Sequence, residues 1–267
     1  MVHCQMCGDS VAKLVKAHAI PAAFFRTLNG PRETPLLVSG ATDKFNKAAP
    51  LGVYDEGILC GPCEGLFQHI DDYGISVLLK RFDELSTPLS HDGLVIGHLS
   101  TSVDQDLLLR FLVAVLWRAS ASTQNFYHDV ELGPYEELAA RVVTAPRHPV
   151  PAEFGAVLSR WSPTALLGGE SRGLMFMDPR RGRLEKTLVY RLYLGEFLAY
   201  VRVGKDRFSP KLAACELRSS DELKVTERDF DQSKDFGAMR RTAQAARQRD
   251  IAVNALRTAR RTEVRRK

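Results

Sequence analysis

The chain has 267 residues, 45% of them apolar and 26% charged, close to the globular average, which excludes wholesale disorder. Its longest strongly apolar run, Leu107 to Trp117, contains Arg110 and falls far short of the ~20 residues of a membrane span, so no membrane role is expected. The net charge of +5 is uneven: Arg240 to Lys267 holds ten Lys/Arg against Asp250 and Glu263, and residues 1–239 are left at −3, a roughly neutral body with a basic tail.

The first ten residues contain no basic region followed by an apolar stretch. The expectation is no secretory signal, a cytoplasmic location and cysteines kept reduced. Four of the five cysteines form two pairs, Cys4-Gln-Met-Cys7 and Cys60-Gly-Pro-Cys63. A two-residue spacer lets both thiolates of a pair reach one ion from a tight turn, and two pairs supply the four soft ligands of a tetrahedral structural Zn²⁺. A thioredoxin-like motif would need one pair opening a helix within a βαβ unit and would leave the other unexplained. Cys215 stands alone in an apolar stretch and reads as a small buried hydrophobe.

Between the pairs lie 52 residues, too many for a compact zinc ribbon, so the intervening chain holds a substructure. Lys13 to Pro21 reads as a short strand stopped by proline, with Leu14, Lys16, His18 and Ile20 on one side. Residues 29–35 and 39–47 are turn-rich, and Arg26, Arg32, Lys44 and Lys47 could line a phosphate track. After the second pair, Leu66, Phe67, Ile70, Tyr73, Val77 and Leu78 recur at helical spacing, which puts Cys63 at a helix start. A knuckle, strands, and a knuckle opening a helix describe a treble-clef zinc fold.

Over residues 1–85 the sequence resembles the HNH endonuclease superfamily, whose ββα-metal core is a treble clef. The matching pieces are Cys4–Cys7, His18-Ala-Ile-Pro21, Asp55-Glu56 before Cys60, and Cys63-Glu64. The resemblance implies phosphodiester hydrolysis of nucleic acid, DNA favoured, with His18 as general base and a divalent Mg²⁺ or Mn²⁺ distinct from the zinc. Glu64 stands where the family has Asn or His and Asp55 or Glu56 where it has its middle Asn. Ala17 stands where it usually has an acidic or His ligand. On a helix Glu64, Gln68 and Asp71 share a face and could meet that ion. By the same analogy a prokaryotic or phage-defence setting fits.

Ser86 to Thr101 is rich in turn residues and reads as a linker. Ser102 with Gln105 looks like a capping box for a helix from Asp104 to about Ser120, apolar almost all round and therefore a domain core. Arg110 and Arg118 lie on one side of it and are expected to pair with carboxylates. Gly133-Pro134 starts another helix, Pro146 to Pro151 breaks it, and Ala152 to Trp161 reads as one more short helix.

From Ser171 the pattern turns to period two. Gly173–Met177, a turn at 178–182, Thr187–Leu194 and Glu196–Val203 read as an antiparallel meander, with Leu212–Leu217 as an added strand. This sheet could present a face to a protein partner. The tail from Met239 lacks Gly and Pro and has too thin an apolar stripe for a buried helix, so Arg240, Arg241 and Arg247, with Lys16, are expected phosphate contacts. The expected architecture is α+β: a treble-clef zinc module (1–85), a domain of central helices and antiparallel sheet (86–238), and a basic helical or disordered tail (239–267). An inactive zinc-dependent nucleic-acid-binding or protein-interaction module on the same fold is the alternative.

Overall fold

A computed structural model describes residues 1–27, 36–37, 47–48, 51–162, 177–242, 244–245 and 247–248. Its small N-terminal elements are β1 (Val2–His3), β2 (Ser10–Val11), β3 (Val15–His18), α1 (Ala22–Arg26), β4 (Leu36–Leu37), β5 (Lys47–Ala48) and β6 (Tyr54–Leu59). They pair as three two-stranded antiparallel ribbons, β1–β2, β3–β6 and β4–β5. A helical run follows: α2 (Gly61–Gly65), α3 (Gln68–Ile75), a π-turn over Ser76–Arg81, and α4 (Phe82–Leu85). Gly74 of α3 meets the Phe111 ring so closely that a Cβ there would overlap it.

Helix α5 (Gln105–Ala121) is the axis of assembly. It is buried from Leu108 to Ala119 because every side has a cover: α3 on one, α6 (Glu136–Thr144) on another, and strands of the large sheet beneath. Its two arginines are paired as expected. Arg110 meets Asp106 and the carbonyls of Val142 and His148; Arg118 meets Asp71. The cap differs from expectation: the Asp104 side chain, not Ser102, accepts from Leu107 N at 3.0 Å. Gln105 instead bonds Ser220 and Arg218, because the chain returns there.

The large sheet adds β7 (Thr87–His91), β8 (Leu94–Ser100), β9 (Phe154–Trp161), β10 (Arg180–Leu184), β11 (Thr187–Leu194), β12 (Phe197–Val203) and β13 (Leu223–Arg228). Its order is β10-β11-β12-β9-β13-β8-β7. Four sequence expectations are corrected in it. The expected linker 86–101 is the β7–β8 hairpin, turned by Asp92 and Gly93 at φ 50° and 76°. Ala152–Trp161 is not a helix but central strand β9, buried at all eight positions, a run whose periodicity cannot separate the two structures. Residues 180–182 are strand rather than turn; the turn is Glu185-Lys186. In place of a strand over 212–217 there is helix α7 (Pro210–Ala213), started by proline, and a single bridge from Glu216 to Val157.

Strand β13 has no counterpart among the sequence expectations. It runs parallel to β9 and antiparallel to β8, so the sheet is mixed rather than a pure meander. Central strands β9, β11 and β12 are covered on both faces. Phe154, Leu192 and Ala199 face the core shared with α5 and the N-terminal elements, whereas Trp161, Tyr193 and Tyr200 face a second core with Phe208 and Phe230. The expected strand at 173–177 lies outside the described residues except Met177. Cys215 packs half-buried on the second core. The tail is helical from residue 234 through 242, with 244–245 and 247–248 also helical. No helix among the described residues is long and apolar enough to cross a membrane.

Candidate metal centre and adjoining cavity

The first cysteine pair sits in a tight knuckle. Cys4 N donates to Asp9 O at 3.1 Å and Gly8 N to Cys4 O at 2.9 Å, with Gly8 at φ 76°, a left-handed turn that suits glycine. Gln5 N bonds Ile58 O of β6 at 2.9 Å, which brings the knuckle beside the second pair. Cys60 lies at the end of that strand and Cys63 within α2, where Pro62 occupies the first turn. All four sulfurs lie within 4.8 Å of one another, the one such cluster of His, Cys, Asp or Glu ligand atoms among the described residues.

Their spacing fits a metal. Sulfurs about 2.3 Å from a tetrahedral zinc stand about 3.8 Å apart, and Cys7 Sγ lies 3.9 Å from Cys60 Sγ. All five cysteines are free thiols. Burial opposes ionisation of Cys4, but backbone N–H groups of Cys7, Cys60 and Met6 outweigh it and hold this thiol down at about 6. Cys60 N supplies one of these bonds at 3.4 Å. Burial and the neighbouring sulfurs push Cys63 upward. Such a quartet cannot ionise fully without a cation among it, and the donor set suits Zn²⁺.

Beside this centre is a cavity of about 360 Å³, lined among others by His18, Arg26, Glu64, Gln68, Asp71 and Arg118. His18 ends strand β3, half-buried, opposite Tyr54 of β6. Its Nε2 donates to Leu51 O at 3.0 Å. A carbonyl only accepts, so the neutral ring carries its proton on Nε2 and its lone pair on Nδ1. Gly52, at φ 79°, turns the chain that presents this carbonyl, and a Cβ there would run into the Phe25 ring. Burial is the main cause that lowers the His18 pKa, helped by Arg118 and Arg26. Glu64 Oε2 is buried with no hydrogen-bond partner among the described residues, and burial pushes its carboxyl upward against the pull of Arg118.

The predicted carboxylates do not all converge here. Asp71 lines the cavity, but Arg118 occupies both of its oxygens, at 2.6 and 2.7 Å, while the guanidinium stacks 4.4 Å from the Phe67 ring. Asp55 pairs with Ala17, points to the end of α5, and accepts from Gly57 N, Ser122 Oγ and the N and Oγ1 of Thr123. Despite its burial, these donors hold its pKa below the ordinary carboxylate value. It fastens the hairpin rather than orienting His18. Glu56 is exposed and pairs with Lys16 at 3.5 Å, and Lys16 lies over the Tyr54 ring. The carbonyl of Leu51 performs the orienting contact expected of Asp55 or Glu56, and a backbone group leaves no side-chain signal in a sequence.

Of the expected phosphate contacts, Arg240, Arg241 and Arg247 are exposed on the tail helix, and Arg26 stands exposed on the cavity wall. Lys44 and Arg32 lie outside the described residues, as does the side chain of Lys47 on β5. Comparisons with protein-family models, curated proteins and solved structures find no match to this chain.

Proposed function

We propose that this protein is an HNH-like endonuclease that hydrolyses phosphodiester bonds in nucleic acid, DNA in the first instance. In this reading the Cys4–Cys7 knuckle, the β3–β6 hairpin and α2 form a treble clef around a structural Zn²⁺ held by Cys4, Cys7, Cys60 and Cys63. The observation that carries the proposal is His18: its Nε2 is anchored on Leu51, leaving Nδ1 as the lone-pair atom of a ring held neutral by burial, on the wall of a cavity that also contains two arginines.

His18 takes a proton from water as the water oxygen attacks phosphorus. The bond from phosphorus to the leaving ester oxygen breaks, and that oxygen takes a proton from solvent. Arg26, exposed on the cavity wall, places positive charge where the phosphate charge grows. The buried oxygen of Glu64, unpartnered among the described residues, fits a second, divalent ion, Mg²⁺ or Mn²⁺. Bound there, such an ion would neutralise charge on the scissile phosphate. Asp71, with both oxygens on Arg118, is not a ligand in this scheme.

One observation favours a second reading, a zinc-dependent nucleic-acid-binding protein without hydrolysis. Asp71 is committed to Arg118 and Asp55 to Thr123, so few carboxylates remain for an ion. Nicking of supercoiled plasmid with Mg²⁺ or Mn²⁺ separates the two. The endonuclease reading expects nicks that disappear in His18→Ala and fall sharply in Glu64→Gln. Plasmid that stays intact, or activity undiminished in His18→Ala with zinc retained, overturns it.

A further inference from the structure

The edge strand β10 carries Arg180, Arg181 and Arg183, and its two faces are treated differently. Arg180 sits directly across from Arg191 of β11, a like-charge pair that would destabilise the ribbon. Each is neutralised: Arg180 by Asp178 at 3.1 Å and Arg191 by Asp235 at 3.3 Å. Arg181 and Arg183, two residues apart and so on the other face, oppose Tyr190 and Leu188. Both are exposed, and neither has a carboxylate partner among the described residues. The Arg183 guanidinium is held out at the turn by the Lys186 carbonyl at 2.7 Å.

The same strand pair anchors the basic tail. Asp235, near the start of the tail helix, accepts from Tyr193 Oη at 2.8 Å as well as from Arg191, while Arg191 also reaches the carbonyl of Arg183. Arg191 thus ties β10 to the root of a helix that goes on to expose Arg240, Arg241 and Arg247. The root of the tail therefore lies on the face of the sheet that carries Arg180 and Arg191, and Arg181 and Arg183 stand on the opposite face of the same edge strand.

We propose that this edge is a nucleic-acid backbone-binding surface, in which the two exposed arginines that no carboxylate neutralises among the described residues, Arg181 and Arg183, contact phosphates. The proposal rests on the reading of the protein as one that acts on nucleic acid, and it adds the surface that holds the duplex outside the His18 cavity. Phosphate contacts of this kind carry no sequence preference and release counterions, so they are read in the salt dependence of binding.

The test is fluorescence anisotropy of a labelled duplex DNA titrated with the full chain, from about 50 to 200 mM salt, in the His18→Ala background without added Mg²⁺ or Mn²⁺. Replacing both arginines, R181Q/R183Q, is expected to lower the slope of log K against log salt by about 2, at about 0.9 for each phosphate left unneutralised. R181K/R183K is expected to retain the slope, and thermal melts establish that each variant folds. An unchanged slope in R181Q/R183Q, a loss of slope only on replacing the tail arginines, or no duplex binding at the lowest salt overturns the surface. So does self-association of folded R181Q/R183Q with DNA binding intact, which would make the arginines guards of an open sheet edge. Salt-sensitive binding by a parent chain that never nicks plasmid ends the endonuclease reading and leaves the surface standing. Nicking with an unchanged slope does the reverse.

Discussion

Asp71 of α3 and Arg118 of α5, 47 residues apart, form a two-pronged ion pair with N···O distances of 2.7 and 2.6 Å. Arg118 is almost wholly buried and its guanidinium lies against Phe67, so the pair closes the floor of the cavity between the cysteine-bearing segment and the central helix. Removing one partner strands a buried charge. Asp71→Ala is therefore expected to destabilise the fold by about 3 kcal/mol, and Asp71→Leu with Arg118→Leu to recover part of that loss. Urea unfolding of the single and double variants measures both, and equal stability of Asp71→Ala and wild type would contradict the pairing.

The cysteine quartet predicts one zinc ion per chain by elemental analysis of purified protein. Cys60→Ser should lose the ion and, with it, the folding free energy that a structural site contributes. Chelation of the wild type should lower its melting temperature and zinc should restore it. A chain that melts identically with and without chelator would remove the structural role of the site.

Asp55 links β6 to the end of α5, and its lowered pKa makes that link pH-dependent. A carboxyl whose folded pKa lies below its unfolded one stabilises the fold above the unfolded value, near 4, and loses that contribution as pH falls through the folded value. Asp55→Asn should thus cost about 2 kcal/mol at pH 7, because charge-assisted hydrogen bonds disappear and their donors are left facing an amide. The gap to wild type should narrow below about pH 4. Unfolding curves at both pH values check the sign.

Gly52 governs the carbonyl that holds His18. Gly52→Ala combines a left-handed backbone, unfavourable by roughly 1 kcal/mol for a side-chain-bearing residue, with collision against Phe25. If His18 is the base, the expected result is a lower kcat for nicking with KM little changed. A proportionate rise in KM with kcat intact would place the defect in binding instead.

The direction of the His18 shift also sets the acid limb of activity. A general base works when deprotonated, so nicking should rise with pH through the His18 pKa, with its midpoint below the ordinary histidine value near 6.5. Arg26→Ala removes one of the cations that lower this pKa and should move the midpoint upward. A midpoint at or above the ordinary value in wild type would exclude His18 as the group observed.

Some of this architecture is legible in residues alone, where a local pattern has one physical outcome. Each CxxC unit brings two sulfurs to one tight turn, and two such units read as the four soft ligands of one ion, the quartet the fold assembles. The proline after Ile20 ends the His18 strand, and the run through Val113 is apolar on every side, as only a central helix can be. What the local pattern lacks is the identity of each long-range partner. Carboxylates that read as one cluster in the sequence are dispersed in the fold: Asp55 to Thr123, Glu56 to Lys16, Asp71 to Arg118. A charge shows that a partner must exist, but which one depends on how helices and hairpins cross. The same reason puts β9 and β13 beyond reach: a strand buried at all eight positions, as β9 is, has no alternation, and β13, which does alternate over Leu223–Thr226, pairs with β9 and β8 from more than 60 residues away. Spacing determined the sulfur quartet, whereas only tertiary packing decided which partner each acid takes and which face of the sheet each arginine of β10 occupies.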